Sequence, residues 1–138
     1  MVNKKIYDAV EQLVVDYNTD DPEVLCRKLG LEIKDVPYGK ACFLGAPYNS
    51  IFIKKDYKKI TRKIILAHEL GHFILHKNDS VNYFEDSELT AENIEKERQA
   101  NLFAAYLLFS DEYLKIKFAD MTNYLLKSFF NDLSGELN

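Results

Sequence analysis

Cysteine is scarce: Cys26 and Cys42 are the only two in 138 residues, and neither has a second cysteine at CxxC spacing. A cytoplasmic protein with free thiols is the simpler reading, ahead of one with a single disulfide. Basic runs are also missing. No stretch of Lys or Arg is longer than a pair, and 22 acidic against 18 basic residues leave a formal charge of -4, which disfavours direct nucleic-acid binding. Long apolar runs are absent too, since the strongest one, from Ile64 to Leu75, is interrupted by His68, Glu69 and His72 and is too short to span a bilayer. At the N-terminus, Asp8 and Glu11 fall where a signal peptide needs an unbroken apolar core. Internal repeats, low-complexity tracts and interdomain linkers are lacking. What remains is a folded globular composition, 47% hydrophobic and 13% aromatic, of a length that fits one domain over residues 1–138. The expectation is a non-secreted cytoplasmic protein with no membrane segment.

Along the chain, Ile6, Val10, Leu13, Val14 and Tyr17 recur at three- and four-residue steps and predict an amphipathic helix over about residues 3–17. Asp20 or Asp21 caps a second short helix with Pro22 in its first turn, Val24, Leu25 and Leu29 as its buried face, and Gly30 at a left-handed C-terminal cap. Leu31 to Val36 alternates as a half-buried strand, and Ala41–Ala46 with Ser50–Lys54 reads as a hairpin turning through Pro47, Tyr48 and Asn49. A small, mainly antiparallel three-stranded sheet is therefore expected. Its edge could accept an extended peptide by main-chain hydrogen bonds or could simply be covered or solvated. Asp56 or Thr61 is the expected cap of the next helix. A polar loop follows to about Asp86, then a long helix from about Glu88 to Phe109, a cap at Ser110 and Asp111, and a last stripe of Met121, Tyr124, Leu125, Phe129 and Phe130. The fold class is α+β.

The stretch Lys63–His76, KIILAHELGHFILH, carries the chemistry. Residues four apart on a helix sit about 40° apart around the axis and about 6 Å along it, so His68 and His72 present two imidazoles to one point. Glu69 follows the first histidine, where its carboxylate can act on a water beside a metal without becoming a ligand. This is the HExxH arrangement of zinc metallopeptidases. Gly71, a poor helix former, fits close approach by another backbone.

A catalytic zinc site usually has three protein ligands, so one more is needed. His76 lies about 12 Å along the axis from His68, which counts against it as a direct ligand and leaves a role near the site or at the helix C-terminus. The acidic candidates are Glu85, Asp86, Glu88, Glu92, Glu95 and Glu97. On a helix that buries Leu89, Ala100, Phe103, Ala104, Leu107 and Leu108, Glu97 lies about 50° from the centre of the apolar stripe, Glu92 about 90°, and Glu88 and Glu95 further round. Glu97 is the carboxylate that best faces inward. Ala100, Ala104 and Ala105 would let that helix come close.

His68-Glu69-Leu70-Gly71-His72 with Leu75-His76, followed by Glu97-Arg98-Gln99-Ala100-Asn101-Leu102-Phe103-Ala104-Ala105-Tyr106-Leu107-Leu108, resembles the ImmA/IrrE family of metallopeptidases. Its pattern is an HELGH…LH helix, then E-x-E-A-N-x-F-A-x-x-L-L-x-P. Asp21 to Val24, Leu29 to Leu31 and Ile51 to Ile53 look like the N-terminal half of that family, so the likeness runs to about residue 114. Gln99 departs from it where a second acidic residue is usual, and Ser110 stands where proline is common. The resemblance implies a zincin-like fold, His68, His72 and Glu97 as ligands of one Zn2+ per chain, and Glu69 as the catalytic acid/base. It further implies a site-specific endopeptidase whose substrate is a helix-turn-helix transcriptional repressor of a phage or mobile element, with cleavage relieving repression. The alternative is a non-catalytic, metal-stabilised regulatory module that binds a transcription-factor partner. An intact Glu69 favours the enzyme, because a structural zinc site needs no general base and is usually closed by four protein ligands.

Overall fold

The computed structural model describes residues 3–39, 41–45, 47–76 and 91–109. The first helix, α1 (Lys4–Tyr17), starts at Asn3, whose side-chain oxygen accepts the backbone N–H of Ile6 at 3.2 Å, and stops at Asn18 in the left-handed region, φ 54°. It buries Ile6, Val10 and Leu13, with Val14 and Tyr17 partly covered. The second, α2 (Pro22–Lys28), is capped by Asp21, which accepts the N–H of Glu23 at 3.0 Å, and Gly30 follows it at φ 83°. Its inward face is Pro22, Leu25 and Cys26, while Val24 and Leu29 are only partly covered.

The strands are β1 (Glu32–Val36), β2 (Cys42–Leu44) and β3 (Ser50–Lys54), in the order β1-β3-β2. β2 and β3 form the expected hairpin, with Leu44 opposite Ser50, and the turn is closed by N–H groups of Tyr48 and Asn49 donating to the Gly45 carbonyl. The departure is β1, which pairs parallel to β3 from Glu32 beside Ser50 to Val36 beside Lys54. The sheet is mixed rather than mainly antiparallel. Alternation marks a strand and its two faces, whereas the direction of pairing depends on the route the chain takes between strands. Ile51 and Ile53 of β3 are fully buried on the face that meets the helices.

Two further helices complete the described part: α3 (Lys59–His76) and α4 (Ala91–Leu108). Neither Asp56 nor Thr61 caps α3. Its ladder begins where the Arg62 N–H donates to the Lys58 carbonyl at 2.9 Å, Thr61 is already inside the helix and fully buried, and Asp56 is exposed beside Lys54. Residues 64–72 of α3 are buried without a break, as an almost continuous apolar sequence requires. On α4, residues 100–107 are likewise buried. The two helices pack at Gly71, where an added Cβ would stand 3.1 Å from the Phe103 Cβ and 3.2 Å from both the Cα and the carbonyl oxygen of Ala100. That contact brings the first half of α4 to the histidine face of α3. α1 closes the other side of α4, with Tyr7 edge-on to Tyr106 and the Asn3 N–H donating to the Tyr106 hydroxyl at 2.9 Å. The beginning of the long helix before Ala91, the polar loop, the Ser110–Asp111 cap and the last apolar stripe lie outside the described residues. Among the described residues, no helix is long and apolar enough to cross a membrane.

Candidate metal centre

Four residues apart on α3, His68 and His72 turn their rings edge-on to one another, with centroids 4.8 Å apart and planes at 86°. Both are buried, at 5% and 1% exposure, so each imidazole needs a polar partner. Glu97 of α4 meets both. Its Oε2 lies 2.9 Å from His68 Nε2 and its Oε1 3.3 Å from His72 Nε2. The three side chains each offer one ligand atom, all within 4.8 Å of one another, and among the described residues they form a group that can hold a metal ion. Two imidazole nitrogens and one carboxylate oxygen are the donor set of a zinc site with a fourth position open, and a poor match to calcium or magnesium, which favour oxygen.

The charges are strongly coupled. Burial alone would raise the pKa of the Glu97 carboxyl, but hydrogen bonds and positive charge from His68 and His72 outweigh it and hold the group well below the usual carboxylate range. Burial lowers His72 to about 4 despite the pull of Glu97. At His68 burial acts the same way, yet Glu97, the charge of Glu69 and a side-chain contact from Asn101 together raise it. The centre thus contains an ionised carboxylate facing two imidazoles of unequal basicity.

Of the other acidic candidates, Glu92 and Glu95 point to solvent and pair with Lys96 at 3.2 Å and Arg98 at 3.8 Å, whereas Glu85, Asp86 and Glu88 fall outside the described residues. His76 does not join the group. Its Nδ1 lies 3.3 Å from His72 Nδ1 and its Nε2 lies 2.8 Å from Gln99 Oε1. Glu69 is buried, at 7% exposure, and close enough for its charge to act on His68.

Two residues at the centre were not singled out by spacing. Asn101, fully buried, engages His68 from the same face of α4 as Glu97, one turn on. Gln99 reaches the centre through His76. The four-residue step from Glu97 to Asn101, the same as from His68 to His72, is the signal that could have found the first of these.

A family model described as Peptidase_M78, the IrrE N-terminal-like domain, matches residues 24–133. Comparison with curated proteins and with solved structures found no match. The family is metal-dependent and its substrates are proteins, and the matched span contains both histidines and the glutamate that α4 delivers to them. The chain therefore belongs to the Peptidase_M78 family of IrrE-like metallopeptidases.

Proposed function

We propose that the chain, as a single metallopeptidase domain over residues 1–138, is a cytoplasmic zinc-dependent endopeptidase that cuts one protein at one site. In this reading His68, His72 and Glu97 bind one Zn2+ and Glu69 is the catalytic acid/base. The observation that carries it is the convergence of two buried imidazoles on a carboxylate from a different helix, with a buried glutamate next in sequence to the first. When bound, zinc would act as a Lewis acid, favouring ionisation of water and polarising a peptide carbonyl. Glu69 would take the proton of the attacking water and deliver it to the leaving amine as the C–N bond breaks. His68 and His72 would hold the ion through Nε2, and the ionised Glu97 would offset part of its charge. The low exposure of the two rings keeps bulk water from weakening these interactions.

The substrate in this proposal is a helix-turn-helix repressor of a phage or mobile element, and the chain acts as its anti-repressor without touching DNA itself. The resemblance of residues 68–76 and 97–108 to the ImmA/IrrE pattern supports it. The test is incubation of the zinc-loaded chain with the repressor encoded nearest to it, read by intact mass spectrometry beside Glu69→Gln and His72→Ala. A single cut is expected from the unaltered chain. Glu69→Gln should keep stoichiometric zinc and lose cleavage by on the order of 100- to 10,000-fold, the usual worth of a positioned general base. His72→Ala should lose the zinc. A repressor that binds both the unaltered chain and Glu69→Gln but is never cut would favour the non-catalytic regulatory module, and stoichiometric zinc in His72→Ala would count against the ligand set.

A further inference from the structure

We propose that Gln99 and His76 are positioning residues that set the tautomer of His72, so that its Nε2 presents a lone pair to the metal. The inference rests on the metal-centre reading above and concerns residues outside the ligand set. Its basis is a run of contacts from the surface of α4 to the centre. Gln99 Nε2 is 3.4 Å from Glu95 Oε1, Gln99 Oε1 is 2.8 Å from His76 Nε2, and His76 Nδ1 is 3.3 Å from His72 Nδ1.

With a metal in place of the proton between His72 Nε2 and Glu97, the direction of this run follows from what each atom can give. An ionised carboxylate has no proton to donate, so Glu95 turns the NH2 of Gln99 toward itself and leaves the amide oxygen facing His76. That oxygen only accepts, so His76 donates from Nε2. A neutral imidazole that donates at one nitrogen accepts at the other, so His76 Nδ1 takes the N–H of His72 Nδ1. His72 then has its lone pair on Nε2, where the ion would take the place of the proton that otherwise faces Glu97 at 3.3 Å. With the amide reversed, every step inverts. The NH2 of Gln99 would donate to His76, His76 would donate from Nδ1, and His72 would carry its proton on Nε2, where the metal must bind. A ligating histidine usually has its second nitrogen held by a carboxylate, a carbonyl or water. Here a second histidine stands between His72 and the carbonyl oxygen of a side chain.

The geometry also accounts for a glutamine here in place of a carboxylate. Either side chain offers His76 an acceptor oxygen, but a glutamine needs a neighbour to orient it, and Glu95, one turn earlier on α4, supplies that.

The experiment uses the full zinc-loaded chain and two readouts that do not involve cleavage. Nitrogen-15 correlation spectra of the histidine rings should show the proton of His76 on Nε2 with Nδ1 bare, and the proton of His72 on Nδ1. A His76 protonated on Nδ1 overturns the proposal without any variant. Zinc affinity is then measured by competition with a chromophoric chelator. Gln99→Met, which removes the acceptor at similar length, should bind on the order of 10- to 100-fold more weakly, the usual cost of losing a partner behind a metal ligand. Gln99→Glu, which keeps an acceptor oxygen, should stay close to the unaltered chain. Gln99 is partly exposed, so neither variant empties the core. Equal affinity in Gln99→Met, or an equal loss in Gln99→Glu, overturns the relay while leaving the zinc site standing. Failure of the unaltered chain to bind one zinc overturns both readings together.

Discussion

Glu97 shows what a single residue contributes and how far a sequence can reveal it. It stands in the charged run Glu95-Lys96-Glu97-Arg98, where local composition gives it no distinction, yet its side chain is only 18% exposed while Glu92 and Glu95 are 77% and 54% exposed. Its phase on the α4 wheel separates it from them, and that is legible without coordinates. In the proposed zinc site its charge would matter most, because two neutral imidazoles would leave both positive charges of the ion uncompensated in a buried place. Glu97→Gln keeps the shape and removes the anion. The expected result is a loss of zinc affinity at least as large as the roughly 10- to 100-fold cost of changes behind a ligand, measured by chelator competition. Affinity near that of the unaltered chain would mean that Glu97 is not a ligand. Gln99 and Asn101 were less legible for a physical reason. Each acts on a histidine of another helix, so its role depends on how α3 and α4 cross, which no spacing within α4 records.

Among the elements, those held by local interactions were read correctly from residue order: α1 from its apolar stripe, α2 from Asp21, Pro22 and Gly30, and the β2–β3 hairpin from the residues of its turn. Those that depend on distant partners were not. β1 lies parallel to β3 although its own sequence only says strand, and α3 begins without the side-chain cap expected from Asp56 or Thr61. Gly71 joins the two kinds of information. It sits three residues after His68 and one before His72, and there the backbone of α4 comes within 3.2 Å of where a Cβ would stand. In an isolated helix Gly71→Ala would gain on the order of 1 kcal/mol. Here the new methyl would press on the Ala100 backbone and the Phe103 Cβ, and overpacking of this kind typically costs about 1–3 kcal/mol. A helical backbone yields only by moving the helix, so the net expectation is a destabilised chain. Glu97, one turn before Ala100, would be carried away from the histidines. Urea denaturation of the metal-free variant and zinc titration should both show losses. An increase in stability with unchanged zinc affinity would mean that α4 shifts freely at this contact.

Across the molecule, α3 has two ends with different duties. Its C-terminal half faces α4 and carries the candidate metal centre, while its N-terminal half is fastened to α2 and β1 by Arg62, whose guanidinium donates to Glu23 at 3.0 Å and also to Asp35. A cleft between α2 and α3, lined in part by Asp21, Glu23, Arg27, Lys59 and Arg62, shares no residue with the centre. This separation makes a prediction about pH. The hydrogen bond from Arg62 is the largest influence on Glu23 and, with Arg27, holds its carboxyl below the ordinary value of 4.5 against the opposing effect of burial. A carboxylate whose pKa is lowered by folding contributes stability that is present above pH 4.5 and is lost as the pH falls through the folded value. Glu23 and Asp35 are 36% and 49% exposed, so solvent screens both pairs and the contribution is held to less than about 1 kcal/mol. Arg62→Met should therefore lower the melting temperature slightly at pH 7, and more in low salt than in high salt. It should also flatten the decline of melting temperature below pH 4.5, because Glu23 has lost the stronger of its two charged partners and keeps only Arg27. Zinc affinity should not change, since the substitution touches only the far end of α3. A fall in zinc affinity as large as that expected for Gly71→Ala would show that α3 transmits strain along its length and that its two ends are not independent.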